Sequence, residues 1–234
     1  MALSLNLKTL KKSFYASIGE IVFGMEDGTV TIFGLVAGVA ITASSSTQVL
    51  LAGATGAISS AISMMCGVFL DLQSDHDQER IKEKKRFVSI QNEPGKAADL
   101  FLLKLSDAGI TQQTIRTIQS EIVGDTSKLI ALDSVFDSQG SDTPDSPFSH
   151  ACWMFISNAL SALTPVIAFA FWPLVTARWI SLLMTLALLF LLGFGRAKIG
   201  QRAIYPTVVQ TVGIASFAAA GGVMIGQLIS RSFT

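Results

Sequence analysis

Three carboxylates lie in an apolar stretch at residues 18–41 that contains no lysine or arginine: Glu20, Glu26 and Asp27. About 20 apolar residues are enough to cross a bilayer, and an ionisable side chain inside one costs at least about 2.5–3.5 kcal/mol on the insertion scale. Because no cation in the stretch neutralises these acids, the sequence indicates that the balancing charge is mobile, either a proton or a metal cation.

Glu20 and Asp27 are seven residues apart, two turns of a helix, so they lie nearly on one helix face. Glu26 points in a different direction. This pattern predicts a cation path lined by two carboxylates, because acids inside a membrane are functional by default. In the alternative, structural interpretation, Glu20 lies at the membrane interface while Glu26 and Asp27 pair with hydroxyl groups.

Two Gly-x-x-x-Gly pairs occur in the same stretch, Gly24 with Gly28 and Gly34 with Gly38. Small residues at this spacing let two membrane helices approach closely. A single bundle of five helices offers little room for a hydrated path. We therefore predict a homodimer in which these glycines bring together the first helices of two copies.

A second apolar stretch carries sulfur side chains in the run Met64-Met65-Cys66. Soft sulfur ligands suit first-row transition metals better than Ca²⁺ or Mg²⁺. In a membrane helix, however, methionine and cysteine also serve as ordinary packing residues. Both interpretations stay open, and the functional one combines the Met64 thioether with the Asp27 carboxylate in one mixed oxygen–sulfur site.

The composition is that of a membrane protein: half of the residues are hydrophobic, 15% are charged and the mean hydropathy is +0.53. Besides the first stretch, four more could cross a bilayer, at residues 49–70, 151–174, 179–194 and 208–229. The predicted fold is an all-α membrane protein with five transmembrane helices and a small cytoplasmic helical insertion between the second and third.

The basic residues predict the orientation of these helices. Five spans put the termini on opposite sides, and all lysines and arginines except Arg178 and Arg231 fall on the side of the N-terminus. The positive-inside bias then places the N-terminus and the insertion in the cytoplasm. A bacterial inner membrane and the membrane of a vacuole-like organelle both fit this multi-pass topology.

The insertion, residues 73–149, separates two membrane segments at 1–72 and 150–234. Its first part is a charged extension of the second membrane helix that ends at Pro94-Gly95. Short amphipathic helices follow, separated by Gly109 and Gly124 and begun by the N-caps Thr111 and Asp125. His150, just beyond the insertion, has no evident partner and is interpreted as an interfacial residue.

Two glutamates in the charged extension, Glu79 and Glu83, lie four residues apart on one helix face. With Asp75 and His76 nearby, they predict a weak metal-docking site that attracts cations toward the membrane path. No nucleophile–base pair, phosphate loop or nucleotide fingerprint is present in the sequence. We therefore predict neither an enzyme nor a bound cofactor nor a nucleic-acid partner.

Two motifs stand out in the first two spans: Gly24-Met-Glu-Asp27-Gly28-x-Val-Thr-Ile-Phe-Gly-Leu-Val-Ala-Gly38 and Gly56-Ala-Ile-Ser-Ser-Ala-Ile-Ser-Met64-x-x-Gly67-x-x-Leu. With these motifs the chain resembles the vacuolar iron transporter family. The resemblance covers the whole chain, including the helical insertion and a proline-bearing third span. It implies a homodimer with a metal path at the interface of the first two helices. It also implies that Fe²⁺, and often Mn²⁺, leaves the cytosol in exchange for protons, with the metal as substrate. By this resemblance Asp27, Glu20 and Met64 are the metal-contacting residues of the membrane path.

The chain also departs from the family pattern. It has Gly19-Glu20 where many members have Arg-Asp, Gly56 at the position of an acid in plant members, and Gly67-Val68 in place of Gly-Glu. Lysines and arginines surround Glu79 and Glu83, where the family insertion often carries metal-binding glutamates. The missing insertion glutamates and Val68 favour the alternative function, a degenerate, non-transporting member that acts as a membrane-anchored interaction or regulatory protein.

Overall fold

A computed structural model of the chain describes residues 10–122, 125–137 and 146–232. Within these ranges all regular secondary structure is helical, including residues 10–16. We number the helices that follow as α1 (Ile18–Thr42), α2 (Ser46–Asn92), α3 (Pro94–Asp107), α4 (Gln112–Ile122), α5 (Thr126–Asp137), α6 (Pro147–Ala162), α7 (Thr164–Phe171), α8 (Leu174–Ile199) and α9 (Ile204–Ser232).

Four of these helices are long and apolar enough to cross a membrane: α1, α2, α8 and α9. Helices α6 and α7 meet the same criterion as a pair that is bent by 42°, which brings the total to five. The bend follows from Pro165, which provides no backbone N–H and sterically disfavours helical geometry at the preceding residue. The structure therefore confirms an all-α, multi-pass membrane protein.

The chain forms two compact units, one containing the residues up to Leu70 and from Ser146 onward, the other the residues between them. In the first unit, the core lies where Ile32 and Val36 of α1 meet Ala57 of α2 and Val166 of α7. The first helix is central because α6, α7, α8 and α9 all pack against it. Its side chains are therefore the ones that neighbouring helices can hold in place.

The glycine pairs of α1 are used within one chain. A Cβ atom built on Gly28 would lie 2.5 Å from the Asn158 carbonyl oxygen of α6, and one built on Gly38 would lie 2.5 Å from the Gly222 carbonyl oxygen of α9. No side chain fits at such distances. The prediction that these glycines join two copies of the chain is therefore wrong, because α6 and α9 already occupy both faces.

Helix α8 is longer at both ends than the predicted fourth span, residues 179–194. The difference arises at its two arginines, which a hydropathy pattern excludes from a span. Arg178 donates a hydrogen bond to the Ala40 carbonyl oxygen at the end of α1, and Arg196 forms an ion pair with Glu26. Since both cations have partners on α1, the helix continues through them.

In the second unit, α2 continues to Asn92 and α3 begins at Pro94, the position at which the sequence predicts a break. The buried side chains of this unit form a small apolar core: Ile90, Ala98, Leu102, Leu105, Ile115, Ile122 and Leu129. Asp125 caps α5, since its Oδ1 atom accepts from the N–H groups of Ser127 and Lys128. Thr111 precedes α4, but its hydroxyl bonds the Thr114 hydroxyl. Gly124 lies outside the described residues, and the cytoplasmic location of this unit stays a prediction.

Candidate functional site

Asp27 lies half-buried on α1 and has neutral hydrogen-bond partners. The Nδ2 atom of Asn158 on α6 donates to Asp27 Oδ2 over 3.1 Å, and the Thr31 hydroxyl lies 3.5 Å from Asp27 Oδ1. Among the residues that the structure describes, no lysine, arginine or histidine lies within ion-pair distance of this carboxylate. A charged Asp27 therefore has no fixed counter-charge, as the sequence indicates.

Asn158 is a functional candidate that the sequence reasoning missed. Its side chain is fully buried, and its Oδ1 atom has no hydrogen-bond partner within the described structure. Leaving a buried polar atom unpaired costs about 1–3 kcal/mol, so such atoms call for an explanation. One follows from amide chemistry: Asn158 can donate a hydrogen bond to a charged Asp27 or, with the amide turned over, accept a hydrogen bond from the neutral acid.

Glu26 is held by a fixed cation. Arg196 Nη1 lies 3.0 Å from Glu26 Oε2, and the Thr211 hydroxyl of α9 donates to Glu26 Oε1 over 3.2 Å. The inference of a mobile balancing charge is therefore wrong for Glu26, because the balancing charge is fixed and comes from α8. Glu26 is thus a structural residue, and Asp27 remains the acid without a fixed counter-charge.

Glu20 lies beside His150, a residue near the start of α6. His150 Nδ1 is 3.4 Å from Glu20 Oε1, an ion-pair distance, although the geometry is not that of a hydrogen bond. The imidazole is buried beside Glu20, so the interpretation that His150 has no partner is wrong, while its position at the membrane interface stays a prediction.

The two carboxylates that share a face of α1 both face α6. Because the helices run in the same direction, Glu20 meets His150 and Asp27 meets Asn158. We call this contact the polar seam, and its members are Glu20, Asp27, His150, Ser157, Asn158 and Ser161. The hydroxyls of Ser157 and Ser161 bond carbonyl oxygens of α6 itself, which leaves His150 and Asn158 to interact with the acids.

A thioether lies in the middle of the polar seam. Met154 is fully buried, and its Sδ atom would be 2.7 Å from a Cβ built on Gly24, the residue between Glu20 and Asp27. In the sequence, only the methionines of the second span stand out as candidate sulfur ligands. Met154 lies four residues before Asn158, one helical turn, but this spacing indicates a shared site only once α6 is known to face α1.

Met64 lies half-buried on α2, which packs against α1. A Cβ on Gly56 would contact both Ile32 and Leu35 of α1 at 3.3–3.4 Å. These contacts lie eight residues before Met64 along α2. The contact between Met64 and Asp27 stays a prediction.

Glu79 and Glu83 lie on the part of α2 that belongs to the second unit. Within the described ranges, no three or more His, Cys, Asp or Glu side chains are arranged to hold a metal ion. Metal docking at Glu79 and Glu83 therefore stays a prediction, and it cannot rest on a multi-acid cluster among these residues.

The chain matches a known protein family over most of its length. The family model described as the VIT family matches residues 18–227, which include every helix from α1 to α8 and most of α9. A search of curated proteins finds no match to the chain. The matched range contains the whole polar seam and both sulfur candidates, Met64 and Met154.

Proposed function

The chain belongs to the vacuolar iron transporter (VIT) family, whose members are metal-ion transporters rather than enzymes, and from that premise we propose a specific activity. The protein moves Fe²⁺ or Mn²⁺ out of the cytosol in exchange for protons. The transported ion is the substrate, and the membrane helices α1 and α2 provide its path.

The observation that carries the proposal is the difference between two adjacent acids. Glu26 has a permanent partner in Arg196, whereas Asp27 has only the neutral donors Asn158 and Thr31. A carboxylate inside a membrane must be neutralised, and without a fixed cation it binds either a proton or a metal ion. Competition between these two cations for one site is the basis of exchange.

The other candidate residues have distinct roles in this mechanism. Asp27 is the central ligand, and Met64 adds a sulfur ligand that favours Fe²⁺ or Mn²⁺ over Ca²⁺. Glu20 provides a second carboxylate two helical turns away, with His150 as its neighbour on α6. Glu79 and Glu83 act as a weak docking site that raises the local metal concentration.

The exposed surface of α1 supports the predicted homodimer, although not through the glycines. Asp27, Thr31 and Leu35 recur at four-residue spacing, and in the single chain Thr31 is exposed and Leu35 is 37% exposed. A carboxylate on a stripe that faces lipid is costly. A second copy of the chain that covers this stripe would enclose Asp27 between two protomers.

The alternative is a degenerate, non-transporting family member that acts as a membrane-anchored interaction or regulatory protein. It is favoured by Gly56 and Val68, which stand where the resembled family has acids. The second unit also provides no acid cluster for metal among its described residues. In this case the charge of Asp27 serves only the packing of α1 on α6.

Metal flux into proteoliposomes separates the two functions. Purified protein is reconstituted, a pH gradient is imposed, and the uptake of Fe²⁺, Mn²⁺, Zn²⁺ and Ca²⁺ is compared with that of protein-free liposomes and of liposomes without a gradient. The proposal expects gradient-dependent uptake of Fe²⁺ or Mn²⁺ with an opposite proton flux. Folded protein that moves none of the four ions would support the non-transporting alternative.

A further inference from the structure

A pocket of about 260 Å³ lies between the first turns of α1 and the last turn of α8, outside the polar seam. Its lining combines apolar and charged side chains. Val22, Phe23 and Ile199 provide the apolar part, and Glu26, Arg196 and Arg202 provide the charged part. Two arginines and one glutamate give the lining a formal net charge of +1.

The two arginines of this pocket differ in their partners. Arg196 is committed to Glu26 by the 3.0 Å ion pair. For the guanidinium of Arg202, the described structure shows neither an ion pair nor a hydrogen bond, so its charge is available to a ligand. A guanidinium recognises phosphate through paired N–H donors in a planar fork.

The backbone at the end of α8 places Arg202 over the pocket. Gln201 has a φ angle of +49°, a left-handed conformation that a residue with a side chain adopts only at a cost. The chain turns back there, and the Arg202 N–H bonds the Ala197 carbonyl oxygen over 2.9 Å. The Arg202 stem then lies within 4 Å of the Gly200 position. This is a Schellman cap at the end of α8, and it fixes the backbone position of Arg202 at the pocket.

The apolar rim of the pocket determines what kind of anion fits. Phe23 is 55% and Ile199 53% exposed, and both lie on helices that cross the membrane. A soluble phosphate would leave these side chains unused, whereas a phospholipid would lay its acyl chains on them with its phosphate at Arg202. Basic pockets between membrane helices bind anionic lipid headgroups in this way. We propose that this pocket is a binding site for the headgroup of an anionic phospholipid.

Lipid retention and thermal stability test the proposal. The full-length protein in detergent is mixed with equimolar phosphatidylglycerol and phosphatidylcholine of identical acyl chains, and the bound lipid is measured by native mass spectrometry. In parallel, its Tm is recorded with each lipid and with inorganic phosphate. We expect preferential retention of phosphatidylglycerol, a higher Tm with that lipid than with phosphatidylcholine, and no Tm shift with inorganic phosphate.

Two variants locate the effect. Arg202→Gln should reduce the preference for phosphatidylglycerol about fivefold, the effect of one basic residue near a membrane surface. Lys198→Gln is the matched control, because this exposed cation lies near the same helix end but does not line the pocket. Equal retention of the two lipids by the wild type, or an unchanged preference in Arg202→Gln, would overturn the proposal. A Tm shift with inorganic phosphate as large as that with the lipid would instead identify a free-anion site.

Discussion

The side-chain amide of Asn158 donates a 3.1 Å hydrogen bond to the carboxylate of Asp27, and it does so from a fully buried position on the facing helix. The asparagine fixes the direction of the carboxylate without neutralising it. An amide is suited to this task because it stabilises the charged acid by hydrogen bonding yet leaves room for a mobile cation to complete the site. A lysine or arginine at the same position would occupy the acid permanently.

Asp27→Asn should abolish metal transport, because it keeps the shape of the side chain and removes the charge that attracts the ion. The initial rate of Fe²⁺ or Mn²⁺ uptake into proteoliposomes should fall to that of protein-free liposomes. Asp99→Asn, at an exposed acid of α3, is the matched control and should keep the wild-type rate. Wild-type transport by Asp27→Asn would show that Asp27 is not on the path.

Asn158→Leu should weaken metal affinity without unfolding the protein. Loss of a group that orients a metal ligand typically costs about 10–100-fold in metal affinity. Leucine removes the unpaired Oδ1 atom, but it also leaves Asp27 without its amide donor, so the free energy of unfolding should fall by about 1–3 kcal/mol. The apparent KM for Fe²⁺ and the Tm are the two measurements.

Ser161→Ala is the control for this substitution. The Ser161 hydroxyl lies on the same face of α6 but bonds only the Asn158 carbonyl oxygen, within its own helix. It should leave the KM unchanged. If Asn158→Leu and Ser161→Ala have equal effects on KM, Asn158 serves packing and not the orientation of Asp27.

The chemistry of α1 could be predicted from the sequence, but its partners could not. The spacing of Glu20 and Asp27 gives their common face, because helical periodicity is a local property. Arg196 is 170 residues from Glu26, and Asn158 is 131 residues from Asp27. Nothing in the local pattern shows which helix packs against a given face. The ion pair of Glu26 and the neutral partner of Asp27 can therefore be identified only from the three-dimensional structure.

Met64→Leu tests whether sulfur contributes to selectivity. Leucine keeps the volume of methionine and removes the soft ligand, so Fe²⁺ transport should fall relative to that of Mn²⁺, the harder ion. The ratio of the two uptake rates is measured in the same liposome preparation. Met154→Leu, in the polar seam, is the matched comparison, since both changes remove one thioether. A changed ratio in Met154→Leu alone would assign the sulfur ligand to α6.

Substitutions at two adjacent glycines of α9 test the close contact between α1 and α9, which the structure shows in place of the predicted glycine-mediated dimer. Gly222→Ala should destabilise the protein by about 1–3 kcal/mol, the usual cost of overpacking, because its Cβ would collide with the Gly34 carbonyl oxygen. At Gly221, no heavy atom lies within 4 Å of a built Cβ, so Gly221→Ala should be neutral. Thermal unfolding of both variants measures the difference. Equal Tm values would show that the close approach of α1 and α9 is not a source of stability.

The final prediction concerns the exposed stripe of α1 in the proposed homodimer. A two-fold symmetric interface brings the same surface of both copies together, so a cysteine on this stripe should crosslink to its equivalent in the second copy. Leu35→Cys, in a background with Cys66 and Cys152 replaced by serine, should form a disulfide-linked dimer in membranes. Phe217→Cys, on an exposed face of α9, is the control and should stay monomeric under the same oxidation. Crosslinking at residue 217 but not at residue 35 would move the interface to α9. Asp27 would then face lipid, and the argument that two protomers enclose it would fail.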